Sequence, residues 1–305
     1  MRPVSVLPAL SRREKLAGYI ALTKPRIIEL LLVTTIPTMI VAQRGFPSLT
    51  RVVATFVGGT LAAGGANAYN MVIDRDIDAV MERTKNRPLV RGVMSPRAAT
   101  VFATVLEIAA LVLLGLTVNW LAACLAVFAT LFYVFVYTLG LKRRSKQNVL
   151  VGGIAGAMPV LVGWSAVTNS LGWAPWLIFL VMIIWQPPHT YVLAIRYRDD
   201  YESVNVPMLP VVASMQRTTL EILIYSVVLW AVSVLIGPTA GLGWIYAVTA
   251  LVLGAAFSAY AWKLYALARR GLADVAAAMR LFHFSITYLT GLFVMMAVDT
   301  LVQHH

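Results

Sequence analysis

The chain has 305 residues, 60% of them hydrophobic and 12% charged, with a mean hydropathy of +0.79. A soluble domain carries about 25% charged residues, so this composition excludes a water-soluble enzyme, a disordered chain and a collagenous one. Repeated apolar runs longer than about 18 residues instead define an all-α polytopic membrane protein, and the net charge of +12 reads as membrane topology, with no nucleic-acid partner expected.

Hydropathy places nine transmembrane spans at 24–43, 52–73, 98–117, 119–140, 149–168, 174–195, 218–237, 242–264 and 281–300, and an odd number puts the termini on opposite sides. Of the 25 lysines and arginines, 23 fall in the N-terminal segment or in connections on its side, leaving only Arg44 and Arg51 opposite. The positive-inside rule therefore sets the N-terminus and basic loops in the cytoplasm and the C-terminus outside, in the cell inner (cytoplasmic) membrane. Residues 1–23 form a cytoplasmic segment whose apolar stretch is too short, and too broken by Pro3 and Pro8, for a cleavable signal. No linker or low-complexity tract interrupts the spans, so residues 1–305 read as a single domain. The outward connections are short. The cytoplasmic connections 75–97 and 196–217 are long and mix carboxylates, cations and tyrosines, so the active-site loops are expected there. A half-repeat related by four spans would set these two loops side by side. Cys124, the one cysteine, excludes a disulfide framework and a cysteine-based metal centre, and reads as a small core hydrophobe.

Span 2 ends in Asn67-Ala68-Tyr69-Asn70-Met71-Val72-Ile73-Asp74-Arg75-Asp76-Ile77-Asp78. Polar groups at membrane depth are costly enough to mark function. At about 100° per residue, Asn70, Asp74 and Asp78 fall within an arc of about 80° and climb one turn at a time, while Asp76 points the opposite way. Two carboxylates and an amide on one face supply hard oxygen ligands for Mg²⁺, an ion that keeps waters and bridges to phosphate oxygens. The next loop carries Arg83, Lys85, Arg87 and Arg91, side chains suited to phosphate. On the residues alone, salt bridges between these cations and Asp74 and Asp78 remain an equally simple reading.

Span 6 holds Trp185-Gln186-Pro187-Pro188-His189, followed by Arg196-Tyr197-Arg198-Asp199-Asp200-Tyr201 and Val206-Pro207-Met208-Leu209-Pro210. The proline pair should kink or break the helix and free backbone carbonyls, making a cavity wall. Asp199 and Asp200 are neighbours, about 100° apart on a helix, so they cannot repeat the spaced ladder of span 2. Arg196 and Asp200 equally suit an i,i+4 surface ion pair.

The segment Asn70 to Asp78, followed by Arg83-Thr84-Lys85-Asn86-Arg87-Pro88, resembles the first aspartate-rich motif of the UbiA-type intramembrane prenyltransferases. Gln186-Pro187-Pro188-His189, Asp199-Asp200-Tyr201 and Pro207-Met208-Leu209-Pro210, in this order, resemble the haem-prenylating branch of that family, and Leu22-Thr23-Lys24-Pro25-Arg26-Ile27 looks like its opening motif. The chain departs from the family at Thr190 and Tyr191, where Phe and Trp are usual. The resemblance implies a nine-helix UbiA-like bundle that binds Mg²⁺ and an isoprenoid diphosphate at Asn70, Asp74 and Asp78. It makes Lys85, Arg87 and Arg91 candidate diphosphate contacts, Lys24 and Arg26 candidate diphosphate or haem-propionate contacts, and Asp199 and Asp200 candidates for a second ion. It further implies farnesyl diphosphate as donor and haem B as acceptor, a substrate and not a cofactor, with His189, Arg196 and His283 as candidate haem contacts. For His189 a hydrogen-bonded bundle histidine stands beside an axial contact to iron. Tyr133, Tyr137, Trp164 and Trp185 are candidates to shield the allylic cation and tail. The product would be haem O, with a downstream haem A synthase or terminal oxidase assembly as onward partner.

Three alternatives compete. Another UbiA-type acceptor, a quinone precursor or chlorophyllide, is disfavoured by the Gln-Pro-Pro-His and Pro-Met-Leu-Pro segments. A CDP-alcohol phosphotransferase would need an Asp-Gly…Ala-Arg prelude that is missing before Asp74. An ion-coupled transporter would hold its carboxylates near the bilayer midplane, whereas Asp74 and Asp78 end a span.

Overall fold

The computed structural model describes residues 11–304, and for residues 26–32 the backbone alone. Every regular element among them is helical: α1 (Arg12–Leu22), α2 (Pro25–Gln43), α3 (Leu49–Ile73), α4 (Arg75–Val80), α5 (Pro96–Thr117), α6 (Trp120–Leu131, continued by a π-helical stretch Phe132–Leu141), α7 (Asn148–Thr168), α8 (Trp173–Arg196), α9 (Arg198–Ser203), α10 (Leu209–Val212), α11 (Met215–Ala240), α12 (Trp244–Arg269) and α13 (Val275–Gln303). Among the described residues, eight helices are long and apolar enough to cross a membrane: α3, α5, α6 with its π continuation, α7, α8, α11, α12 and α13. In α2 the apolar part with described side chains is Val33–Gln43.

Local sequence sets the helix starts. The side chains of Ser95, Asn119, Ser214 and Asp274 accept first-turn N–H groups of α5, α6, α11 and α13, and Ser11 with Glu14 forms a reciprocal box on α1. Along α5, Val101, Val105, Ile108, Val112 and Leu116 recur at helical spacing and are exposed, a stripe that only lipid tails can solvate. Cys124 is also exposed. It therefore lies on the outside of the bundle and not in the core, because its neighbours Ala122, Ala123 and Ala126 take the packed face of α6.

Helix α8 is the most enclosed, with 67% of its apolar window buried, and it touches α7, α11 and α13. It runs unbroken through Pro187 and Pro188, so the proline pair does not end the helix. It does remove two N–H groups from the ladder, leaving the Ile183 and Ile184 carbonyls without their usual donors. Helix α7 closes on this point through two glycines: a Cβ on Gly153 would lie 2.8 Å from Gln186 Cγ, and one on Gly156 would lie 2.9 Å from Gln186 Nε2. Midway along α5, Glu107 sits between α3 and α6, its Oε1 accepting from Thr130 Oγ1 at 2.9 Å.

Candidate functional site

The last turn of α3 carries Asn70, and Asp74 stands at the α3–α4 junction with φ −86° and ψ 5°. The Asp74 N–H still donates to the Asn70 carbonyl and the Asp78 N–H to the Asp74 carbonyl, both at 2.9 Å. The chain therefore keeps climbing one turn per step across the junction. Asn70, Asp74 and Asp78 are almost wholly buried, at 3%, 0% and 2% exposure, while the Asp76 side chain is 60% exposed.

Cations from three other segments close on this face. Lys24 Nζ donates to Asn70 Oδ1 at 3.1 Å, from a residue held at φ 51°, a conformation costly for a non-glycine residue and concentrated at functional sites. Arg87 donates to Asp78 Oδ2 at 2.5 Å. Lys142 forms an ion pair with Asp74, and Arg143 reaches Asp74 Oδ1 at 3.4 Å and Asp76 Oδ1 at 2.7 Å. Arg143 holds the Asp76 carboxyl down at about 2. Asn70 Nδ2 donates to Asp74 Oδ2 at 2.6 Å and to Thr138 Oγ1 at 3.3 Å. The π-helical winding of Phe132–Leu141 explains the reach of Tyr133, Tyr137, Thr138 and Lys142. Bonding over five residues, as in Lys142 N–H to Tyr137 O at 2.8 Å, brings all four onto one face.

These groups surround a polar pocket of about 180 Å³ lined by Lys24, Asn70, Asp78, Arg83, Arg87 and Lys142 among others. Tyr133 and Thr190 line both this pocket and an apolar cavity of about 390 Å³ between α2, α3, α6, α7 and α8. The cavity wall includes Gly59, Ala126, Trp185, Gln186 and His189. A charged compartment thus adjoins an apolar one. No cluster of three or more His, Cys, Asp or Glu exists among the described residues. The oxygens of Asn70, Asp74 and Asp78 nonetheless suit Mg²⁺, which needs one or two carboxylates and completes its shell with water and phosphate.

The other sequence candidates fall differently. Lys85 pairs with Glu82, and Arg91 is exposed. Asp200 does not pair with Arg196; its oxygens accept the backbone N–H groups of Glu82 and Arg83, each at 3.1 Å. Asp199 is exposed. Arg83 in turn lies over the Tyr197 and Tyr201 rings, so loops 75–97 and 196–217 do meet, with Asp200 fastening one to the other. Arg196 is exposed over the Tyr197 ring. His189 faces the apolar cavity, whereas His283 is exposed, edge-on to Phe282. The Arg26 side chain lies outside the described residues. Sequence reasoning missed Lys142, Arg143 and Thr138 as site residues, and missed Glu107. The one signal was Lys142-Arg143-Arg144 directly after an apolar span, which reads as positive-inside charge.

A cation-rich compartment and an apolar one, joined within a helical bundle, agree with what similarity finds. The profile of the UbiA prenyltransferase family matches residues 31–286, and the chain belongs to that family of intramembrane prenyltransferases. Among its relatives, the chain is 52% identical to a protoheme IX farnesyltransferase from Streptomyces avermitilis, covering 95% of each chain. It is 51% identical to a protein of the same name from Cutibacterium acnes, over 97% of this chain and 88% of that one. The fold is similar to that of a digeranylgeranylglyceryl phosphate synthase, with TM-score 0.76, 18% identity and 95% and 99% of the two chains covered. It is also similar to a UbiA homologue from Archaeoglobus fulgidus bound to DMAPP and Mg²⁺, with TM-score 0.63, 16% identity and 92% and 99% covered.

Proposed function

We propose that this chain transfers a farnesyl group from farnesyl diphosphate to a vinyl group of haem B, with addition of water, giving haem O and diphosphate. The observation that carries this reading is the meeting of the cation-rich pocket and the apolar cavity at Tyr133 and Thr190, with His189 in the cavity wall. The relatives named protoheme IX farnesyltransferase support the choice of acceptor.

Asn70, Asp74 and Asp78 would hold Mg²⁺, which supplies neutralising charge for a diphosphate leaving group when bound. Lys24, Arg87, Lys142 and Arg143 orient the diphosphate oxygens and stabilise the charge that develops as the allylic C–O bond breaks, an effect enlarged where water is excluded. The Tyr133 and Tyr137 rings, stacked with centroids 5.4 Å apart, both line the charged pocket and supply π density that stabilises the cationic carbon. The vinyl group attacks that carbon, the resulting cation adjoins the porphyrin ring, and water adds there with loss of one proton. Asp200 acts as a loop fastener, so a second ion at Asp199 and Asp200 is not part of this reading.

Residues 1–305 act as one transmembrane domain in the inner membrane, with α2 as the ninth span, the N-terminus and active site in the cytoplasm and the C-terminus outside. The 23-to-2 charge asymmetry supports this orientation. A farnesylated haem is too apolar to leave the bilayer, so a downstream haem A synthase or terminal oxidase assembly would receive it laterally.

The test is mass spectrometry of product formed by purified protein given haem B, farnesyl diphosphate and Mg²⁺, with an EDTA control. A farnesylated, hydrated haem that EDTA abolishes is expected. Farnesyl diphosphate binding without product would move the acceptor to a quinone precursor or chlorophyllide. Ion flux independent of any prenyl diphosphate would instead indicate a transporter.

A further inference from the structure

The His189 ring is fixed from three sides. Its faces are covered by Trp185, with centroids 4.1 Å apart and planes at 19°, and by Phe282, at 4.7 Å and 27°. Its Nδ1 lies 2.7 Å from Ser285 Oγ. Two turns interlock here: Trp185 and His189 from α8, Phe282 and Ser285 from α13. The Trp185 indole N–H adds a bond to the Ser285 carbonyl at 2.9 Å.

The direction of the Nδ1 bond follows from proton count. A serine hydroxyl has one hydrogen, and Ser285 directs it to the Phe282 carbonyl at 2.6 Å. Its oxygen therefore accepts toward the ring, so Nδ1 carries the imidazole proton and Nε2 does not. Nδ1 is the ring nitrogen tied to α13, and His189 lines the 390 Å³ cavity. A neutral imidazole with its plane locked, one nitrogen tied back and the other holding a free lone pair toward a cavity is the form that ligates a metal.

We propose that Ser285 is a positioning residue for the acceptor. Through Nδ1 it selects the tautomer of His189 that offers the Nε2 lone pair to the iron of a metalloporphyrin at the α8 wall of the apolar cavity, with the prenyl tail along the α3 wall that carries Gly59. This rests on the haem reading above for the identity of the ligand, but the tautomer itself does not depend on it.

The test has two arms. In the first, the full chain labelled with ¹⁵N-histidine is measured by NMR without haem; the chain has only four histidines, and a His189→Ala sample assigns the resonance. The Nδ1–H tautomer is expected, moving to Nε2–H or a mixture in Ser285→Ala and returning in Ser285→Thr. An Nε2–H tautomer in the unaltered protein, or no change in Ser285→Ala, overturns the proposal. In the second arm, haem B is titrated into the same proteins and followed by its Soret band and by the iron–histidine stretch of the ferrous form. Ser285→Ala is expected to lower affinity about 10–100-fold and weaken the stretch, with recovery in Ser285→Thr. His189→Ala is expected to lose the stretch and regain imidazole ligation when imidazole is added. Unchanged haem spectra in His189→Ala would sink the iron contact while the first arm still decides the tautomer. Unchanged affinity and stretch in Ser285→Ala, with His189→Ala altered, would sink Ser285 alone.

Discussion

Three aspartates within five positions carry different work because of where each side chain points. Asp74 and Asp78 are buried against Lys142, Arg143 and Arg87, whereas Asp76 is exposed and pairs with Arg143 alone. Asp74→Asn or Asp78→Asn is expected to lower turnover about 10²–10³-fold, the scale for losing one group that stabilises developing charge, with the protein still in the membrane. Asp76→Asn should keep turnover within a few-fold and cost less than about 1 kcal/mol of stability, as an exposed pair does. Its carboxyl sits at about 2 against an ordinary 3.8. The pair therefore contributes in full above the ordinary value and is lost only as pH falls toward 2, leaving no trace in a neutral pH profile. Steady-state assays of the three variants beside one another check the division. Equal losses from all three would mean that net charge matters and direction does not. Lys142→Gln belongs to the same scale: it should raise the KM for the prenyl diphosphate more than that for the acceptor, and a KM unchanged for the diphosphate would remove Lys142 from the pocket.

Winding decides function at the level of the helix. Between Phe132 and Leu141 the chain adopts π geometry, and this alone puts Tyr133, Tyr137, Thr138 and Lys142 on the side facing Asn70 and Asp74. Deleting Val136 should relax the stretch toward α-helix and turn Lys142 away from Asp74. Turnover should fall at least as far as in Lys142→Gln while circular dichroism stays helical, and full activity from the deletion would show that the winding is incidental. The α3–α5 contact is tight for a related reason. A Cβ on Gly65 would fall 2.5 Å from Glu107 Oε1 and 3.0 Å from the Ala103 carbonyl. Gly65→Ala is therefore expected to cost about 1–3 kcal/mol, read as a lower midpoint in detergent unfolding.

The bundle as a whole sets the size of what it holds. Gly59 lines the apolar cavity, and a Cβ there would meet nothing within 4 Å, so a larger side chain enters empty space and not the packed protein. Gly59→Phe should fold normally and shift donor preference from the fifteen-carbon diphosphate toward ten- and five-carbon ones, measured by competition among the three. Unchanged preference would place the prenyl tail elsewhere.

Periodicity and charge count made much of this legible beforehand. The hydrophobic runs gave the long helices, the 100° rule gave the shared face of Asn70, Asp74 and Asp78, and the basic loops marked the end of the bundle where Asp74 and Asp78 meet their cations. These are properties of residues within a turn or two of each other, where backbone geometry alone fixes who is a neighbour. The partners across the site are another matter. Lys142 meets Asp74 across 68 positions, Ser285 meets His189 across 96, and Asp200 meets the Glu82 N–H across 118. No period in the chain encodes such pairs. They depend on how helices pack, on a π stretch whose sequence reads as an ordinary apolar span, and on glycines whose missing Cβ matters only once a neighbour arrives. Local patterning sufficed for a membrane bundle with an acidic ladder at one end; packing in three dimensions chose which cations face that ladder and which nitrogen of His189 meets Ser285, because hydrogen bonds and ion pairs are set by distances in space and not along the chain.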